Sequence, residues 1–198
     1  METAFPWNLT LFHLINGPAN PSPALLEVAK ALAVLPPWGA IVLLIFCWLY
    51  GNREKQRAVM IAGLALLLGL GLNFLIGAIY YSPRPFAVGI GNNLYPHDLE
   101  SSFPSDHATF LWSLGISLLL AGPLRGFGWL FVVLGLATAW ARVFLGVHFP
   151  LDMAGALVTA FIAAFLSHSF AARFGGAPFR LSDAVNGWLR HYLPGGGQ

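Results

Sequence analysis

Five long apolar runs, at roughly residues 22–50, 57–80, 105–121, 127–144 and 149–170, leave this chain few ways to fold. A bilayer's hydrocarbon core is about 30 Å thick and takes about 20 helical residues to cross. Each run meets or approaches that length. A water-soluble globule is excluded by charge: 9% of the residues are charged and 57% hydrophobic, against about 25% charged in ordinary soluble domains. The sequence therefore predicts an all-α integral membrane protein, a bundle of five transmembrane helices with room for a sixth. Pro36-Pro37 inside the first run predicts a tilt or kink there. The third run is short, which sets its polar start slightly below the membrane surface.

Both ends carry amphipathic stretches. Phe5, Leu9 and Phe12 recur at helical spacing beside Trp7, and Leu181, Val185, Trp188, Leu189 and Tyr192 form a stripe behind Ser182, a suitable N-cap. Interfacial N- and C-terminal helices are expected. No internal repeat or separable second domain is visible, so residues 1–198 are read as one domain, and Gly195 to Gln198 as a flexible tail. A net charge of +2 gives no footing for nucleic acid. One cysteine, Cys47, excludes a disulfide or a Cys-based metal site within the chain. Glu2, with no basic residue ahead of the first apolar stretch, is the wrong pattern for a cleaved signal peptide, so the first span is expected to direct its own insertion.

Lysine and arginine in the loops set the orientation. Arg53, Lys55 and Arg57 lie between the first and second runs, Arg125 between the third and fourth, and Arg173, Arg180 and Arg190 follow the fifth. These segments share one side, which is read as cytoplasmic. The opposite, outer face then receives three polar clusters: Pro83-Arg84-Pro85, Phe103-Pro104-Ser105-Asp106-His107, and Arg142 with His148 and Asp152. Ionisable groups beside membrane segments are costly and mark function.

Those residue types suit phosphate chemistry. A phosphate ester or anhydride resists attack because its oxygens are negative, so a catalyst must neutralise them, supply a nucleophile and protonate the leaving oxygen. Arg84 and Arg142 offer planar, permanently charged forks for phosphate oxygens. Pro83 and Pro85 stiffen the backbone around Arg84. Ser105 falls where the third span begins, so its hydroxyl and the free amides of that turn can hold an anion. His148 precedes Pro150, a first-turn proline, and Asp152 falls in the same turn, where its carboxylate can orient an imidazole. His148 is the better nucleophile candidate and His107 the better general acid.

The clusters resemble those of the type 2 phosphatidic acid phosphatase superfamily, whose pattern is a Lys, six residues and Arg-Pro, then Pro-Ser-Gly-His, then Ser-Arg, five residues, His, three residues and Asp. Arg84-Pro85, Pro104-Ser105-His107 and Arg142, His148, Asp152 match at the required spacings. More narrowly, Pro83-Arg84-Pro85-Phe86, Pro96-His97 and Ser102-Phe103-Pro104-Ser105-Asp106-His107 look like the bacitracin-resistance type of undecaprenyl-diphosphate phosphatase. The resemblance covers roughly residues 57–165, the core of the domain. It implies a metal-independent phosphohistidine route with no cofactor, a polyprenyl diphosphate substrate, and a site on the outer face of a bacterial cytoplasmic membrane, recycling the peptidoglycan carrier lipid and conferring bacitracin resistance.

Three departures stand out: Gly77 where the superfamily has Lys, Asp106 for the Gly, and Ala141 for the Ser. The resemblance links the first two to the diphosphate-cleaving branch. Lys30 is a conceivable substitute cation, although Glu27, one turn earlier, is positioned to pair with it. Asp106 would repel a phosphate unless it points away or pairs with an arginine, and His97 is either a solvated loop residue or a grip on the substrate. Other readings are a phosphatase for phosphatidylglycerol phosphate, phosphatidic acid or a lipid A phosphate, and, in a different class, a polyprenyl-lipid transporter. A transporter calls for polar groups near the midplane and often inverted repeats, whereas here they collect at one surface. No metal-ligand spacing appears, and the two arginines would compete with a cation for phosphate. Oligomeric state is not legible.

Overall fold

The computed structural model describes residues 5–174 and is helical throughout its regular elements. α1 (Pro6–Ile15) precedes five longer helices: α2 (Pro23–Tyr50), α3 (Arg53–Ile79), α4 (Asp106–Ala121), α5 (Arg125–Phe144) and α6 (Pro150–Phe174). Each expected run is one helix. Four of them, α2, α3, α5 and α6, are long and apolar enough to cross a membrane. α4, at 16 residues, is the short one, about 24 Å by helical rise. The protein is thus a multi-pass membrane protein. The expected C-terminal interfacial helix lies outside the described residues.

Local chemistry sets the helix starts. Ser22 caps α2 by accepting the Leu25 amide at 3.4 Å, with Pro23 at the first position, and Asn52 caps α3 through the Lys55 amide at 3.1 Å. α6 opens with Pro150, as expected. Asp152, at its third position, reaches back to the Phe149 amide at 2.8 Å, the return bond of a capping box.

α2 runs unbroken through Pro36-Pro37. Pro36 has no N–H to give the Leu32 carbonyl one turn earlier, and the Thr138 hydroxyl of α5 donates to that carbonyl at 2.8 Å instead. A freed backbone group at membrane depth is so satisfied by a neighbouring helix. Thr138→Val keeps the shape but removes the donor. It is expected to cost about 1 kcal/mol, read as a lowered thermal unfolding midpoint in detergent with turnover retained.

Small residues let the helices close on one another, the usual device where apolar side chains gain nothing over lipid. α4 and α5 cross where a Cβ at Gly115 would meet the Gly128 carbonyl at 3.0 Å, and Trp112 covers Gly135. Ala65 of α3, Ala108 of α4 and Ala156, Ala160 and Ala164 of α6 share the adjoining core. These contacts bring the polar ends of α4, α5 and α6 together.

At that end a long segment joins α3 to α4, held by Asn16 after α1. The Asn16 amide group donates to the Asn92 carbonyl at 3.1 Å and the Phe144 carbonyl at 3.0 Å, and its oxygen accepts the Asn92 amide at 2.8 Å. Gly146 (φ +76°) lies against Asn92, where a Cβ would strike the Asn92 carbonyl. The N-terminal segment therefore serves as a brace for the loop beside the site.

Candidate active site

His148 lies in the turn between α5 and α6, almost fully buried, and its two ring nitrogens meet opposite chemistries. Nε2 is 3.1 Å from Arg84 Nη1 and 3.4 Å from Arg142 Nη2. A guanidinium can only donate, so Nε2 carries the lone pair. The proton belongs on Nδ1, which donates to Asp152 Oδ2 at 3.1 Å. This assignment follows from the partners' donor and acceptor character. Burial, reinforced by Arg142 and Arg84, pushes the His148 pKa well below the usual histidine range, so the ring is neutral. A neutral imidazole with its lone pair between two cations is suited to attack an anionic phosphorus centre.

Arg84 is positioned by the chain around it. Its guanidinium donates to the Val147 carbonyl at 3.0 Å and the Ser101 carbonyl at 3.4 Å, tying the α3–α4 segment to the His148 turn. Burial lowers its pKa, opposed by Asp152 and Glu100, but a guanidinium stays charged in proteins. Arg142, in the last turn of α5, donates to His97 Nε2 at 2.8 Å. The His97 proton therefore sits on Nδ1, which faces the Asp98 carbonyl at 3.3 Å. Burial, then Arg84 and Arg142, push His97 down to about 4, and this neutral ring lies against His148 with centroids 6.4 Å apart.

Among the described residues, five buried side-chain polar atoms have no hydrogen-bond partner, and three belong to these clusters: Arg84 Nε, Arg142 Nε and Ser105 Oγ. Ser105 stands at the N-cap of α4 without using its hydroxyl to cap. Buried polar groups are nearly always satisfied. Two guanidinium donors and a hydroxyl left over among these clusters are a match for an anion's oxygens. His107, on the first turn of α4, lines a cavity of about 450 Å³ together with His97 and Arg142.

The structure brings together Arg84, Ser105, Arg142, His148, Asp152, His97 and His107. Asp106 is turned aside, its Oδ1 accepting from Asn73 Nδ2 at 2.8 Å, so its charge is engaged by an amide. Lys30 instead bonds Glu27 at 2.8 Å, the local pairing that its spacing allowed. No group of three or more His, Cys, Asp and Glu side chains placed to hold a metal ion occurs among the described residues.

Sequence reasoning assigned no role to Ser102. Its fully buried hydroxyl donates to Asp152 Oδ2 and lies 3.2 Å from His148 Nδ1, and its amide donates to the Ser82 carbonyl at 2.7 Å. It acts on His148 through Asp152, as a positioning residue. Partners that orient a metal-bound imidazole are typically worth about 10- to 100-fold, and an imidazole that attacks phosphorus needs the same control of tautomer and orientation. Ser102→Ala is therefore expected to lower kcat by about that much with little change in KM, and Ser102→Thr to restore part of it. Equal losses in the two variants would point to a packing role instead.

Residues 58–175 match the PAP2 superfamily. The chain is 34% identical over 163 residues to undecaprenyl-diphosphatase BcrC of Bacillus subtilis, covering 82% of this chain and 83% of that protein. It is 36% identical over 159 residues to the putative undecaprenyl-diphosphatase YbjG of Escherichia coli, covering 78% of each. The crystal structure of Aquifex aeolicus LpxE superposes with a TM-score of 0.68 at 25% identity, covering 84% of this chain and 97% of that one.

Proposed function

The chain belongs to the PAP2 superfamily, and from that premise we propose that it hydrolyses undecaprenyl diphosphate to undecaprenyl phosphate and inorganic phosphate. The observation that carries this reading is His148, with its Nε2 lone pair between two guanidiniums and its Nδ1 proton on Asp152. Nε2 attacks the terminal phosphorus, an N–P bond forms, and the bond from phosphorus to the bridging oxygen breaks. His107 gives that oxygen a proton and undecaprenyl phosphate departs. Water, relieved of a proton by His107, then attacks the phosphohistidine, and phosphate leaves as Nε2 recovers its lone pair. Arg84, Arg142 and Ser105 hold the phosphoryl oxygens throughout, and Asp152 supports the imidazole.

The one membrane domain sits in a bacterial cytoplasmic membrane with this site facing the periplasm or exterior, because Arg53, Lys55, Arg57, Arg125 and Arg173 all fall at the other end of the bundle. There it would return the carrier lipid to peptidoglycan synthesis and remove the target of bacitracin. A cysteine at Leu99, which is 69% exposed, is expected to react in intact cells with a thiol reagent that cannot cross the membrane. Labelling only after lysis would reverse the orientation.

The direct test is phosphate release by purified protein from undecaprenyl diphosphate, phosphatidylglycerol phosphate, phosphatidic acid and a lipid A phosphate, each with and without EDTA. The diphosphate should be the fastest substrate, and chelation should leave its rate intact, since the guanidiniums already supply the positive charge. A preference for phosphatidylglycerol phosphate would overturn the substrate. Loss of activity with EDTA and recovery with Mg²⁺ would overturn the two-arginine account.

A further inference from the structure

A second cavity, of about 640 Å³, opens from the same His107 but leads away from the arginines, between α2, α3 and α4. Trp38 and Ile41 of α2 and Leu70 and Phe74 of α3 form its walls, and Phe110 continues its floor from His107 along α4. Trp38 and Phe74 are 66% and 75% exposed, so the groove opens sideways onto the membrane-facing surface. Val34 and His107 line both this groove and the cavity at Arg142, which makes the two spaces neighbours across the candidate acid. From Gly77 to Leu70 the groove follows two turns of α3, about 10 Å.

We propose that this groove holds the first isoprene units of the substrate's chain, and that Gly77 keeps it open. The inference rests on the phosphatase reading above. It is carried by continuity: the group that protonates the leaving oxygen should stand where the leaving lipid begins, and His107 stands at the groove's inner end. Charge supports the same direction. Glu100 and Asp106 also line this groove, which has no cationic side chain in its lining, whereas Arg142 lines the cavity on the other side of His107, with Asp98 as its one carboxylate. An anionic head is so kept on the arginine side while a neutral chain enters the groove. Apolar walls then bury the chain next to the scissile bond.

Gly77 is the position at which chain length can be tested. A Cβ there would sit 3.6 Å from Ser101 Cβ, an ordinary contact, so the base of a side chain fits. Its further atoms would enter the groove that Gly77 and Ser101 both line. Leu70, at the far end, gives a second variant well away from the reacting atoms. Gly77→Leu and Leu70→Trp are each compared with wild type on undecaprenyl diphosphate and on methyl diphosphate, a short substrate with no isoprene unit to place in the groove. In both variants the ratio of kcat/KM for the long substrate to that for the short one should fall about tenfold, mainly through KM. An unchanged ratio in both variants, whether the two substrates slow together or neither does, would overturn the inference and leave the groove to ordinary membrane lipid. Failure of the wild-type protein to cleave undecaprenyl diphosphate would overturn the phosphatase reading itself, and this inference with it.

Discussion

His148→Ala is expected to abolish turnover, with kcat falling by about a thousandfold or more, because it removes the atom that bonds phosphorus rather than a group that assists it. The groups that contact the His148 ring offer no stand-in. Both guanidiniums beside Nε2 are donors without lone pairs to give, and Ser102 Oγ lies on the Nδ1 side of the ring. His97 is neutral but has its Nε2 engaged by Arg142. Rapid quenching of wild type with labelled diphosphate should trap an acid-labile phosphoenzyme that His148→Ala cannot form. His107→Ala should still form it, more slowly, and lose more with monoesters than with diphosphates, whose leaving group needs less help from a proton. A His148→Ala protein retaining more than about a tenth of the normal rate, a barrier change under roughly 1.4 kcal/mol, would end the nucleophile assignment.

Much of this architecture was legible because two of its signals are local. Apolar runs place α2 to α6 to within about four residues at each end, since length and hydropathy decide whether a segment can cross a bilayer. Fixed spacings within a helix start place Asp152 against His148, because three or four residues along a turn bring side chains onto one face. What was illegible depends on contacts between distant segments. Ser102 meets Asp152 across 50 residues and Asn16 meets Asn92 across 76; neither pairing leaves a period or motif in the sequence. Asp106 could be read as pointing away or as pairing with an arginine, and only the position of Asn73, a turn of α3 distant from Gly77, shows that an amide takes it. Lys30 was ambiguous for a different reason. Its local pairing with Glu27 and a reach toward the site were both sterically open, and the pairing across less than one turn costs less side-chain freedom. Thr138 belongs to the same class: the prolines of α2 announced a broken hydrogen bond, but not which helix would mend it.

Arg84→Lys separates charge from geometry, and the two halves of the change predict different losses. Arg84 sends one arm to the Val147 carbonyl and His148 Nε2 and the other to the Ser101 carbonyl, with its buried Nε unpartnered. A lysine keeps the charge but is a single point donor on a flexible stem, unable to hold both carbonyls and present a flat fork to phosphate. Losing one preorganised donor to a developing charge typically costs about 10²- to 10³-fold in kcat. Arg84→Lys should fall at the lower end of that range and Arg84→Ala at or beyond the upper end, because alanine also strands the Val147 and Ser101 carbonyls. Unfolding by heat will shift in the alanine variant for that structural reason, so rate alone is not decisive. Competitive inhibition by inorganic phosphate supplies the second reading. It needs only the anion site, and it should weaken in both variants but by less than kcat/KM falls, since the fork also meets charge that develops only in the transition state. Full activity in Arg84→Lys, or unchanged phosphate inhibition in Arg84→Ala, would mean that Arg84 serves to join two loops and that Arg142 carries the phosphate alone.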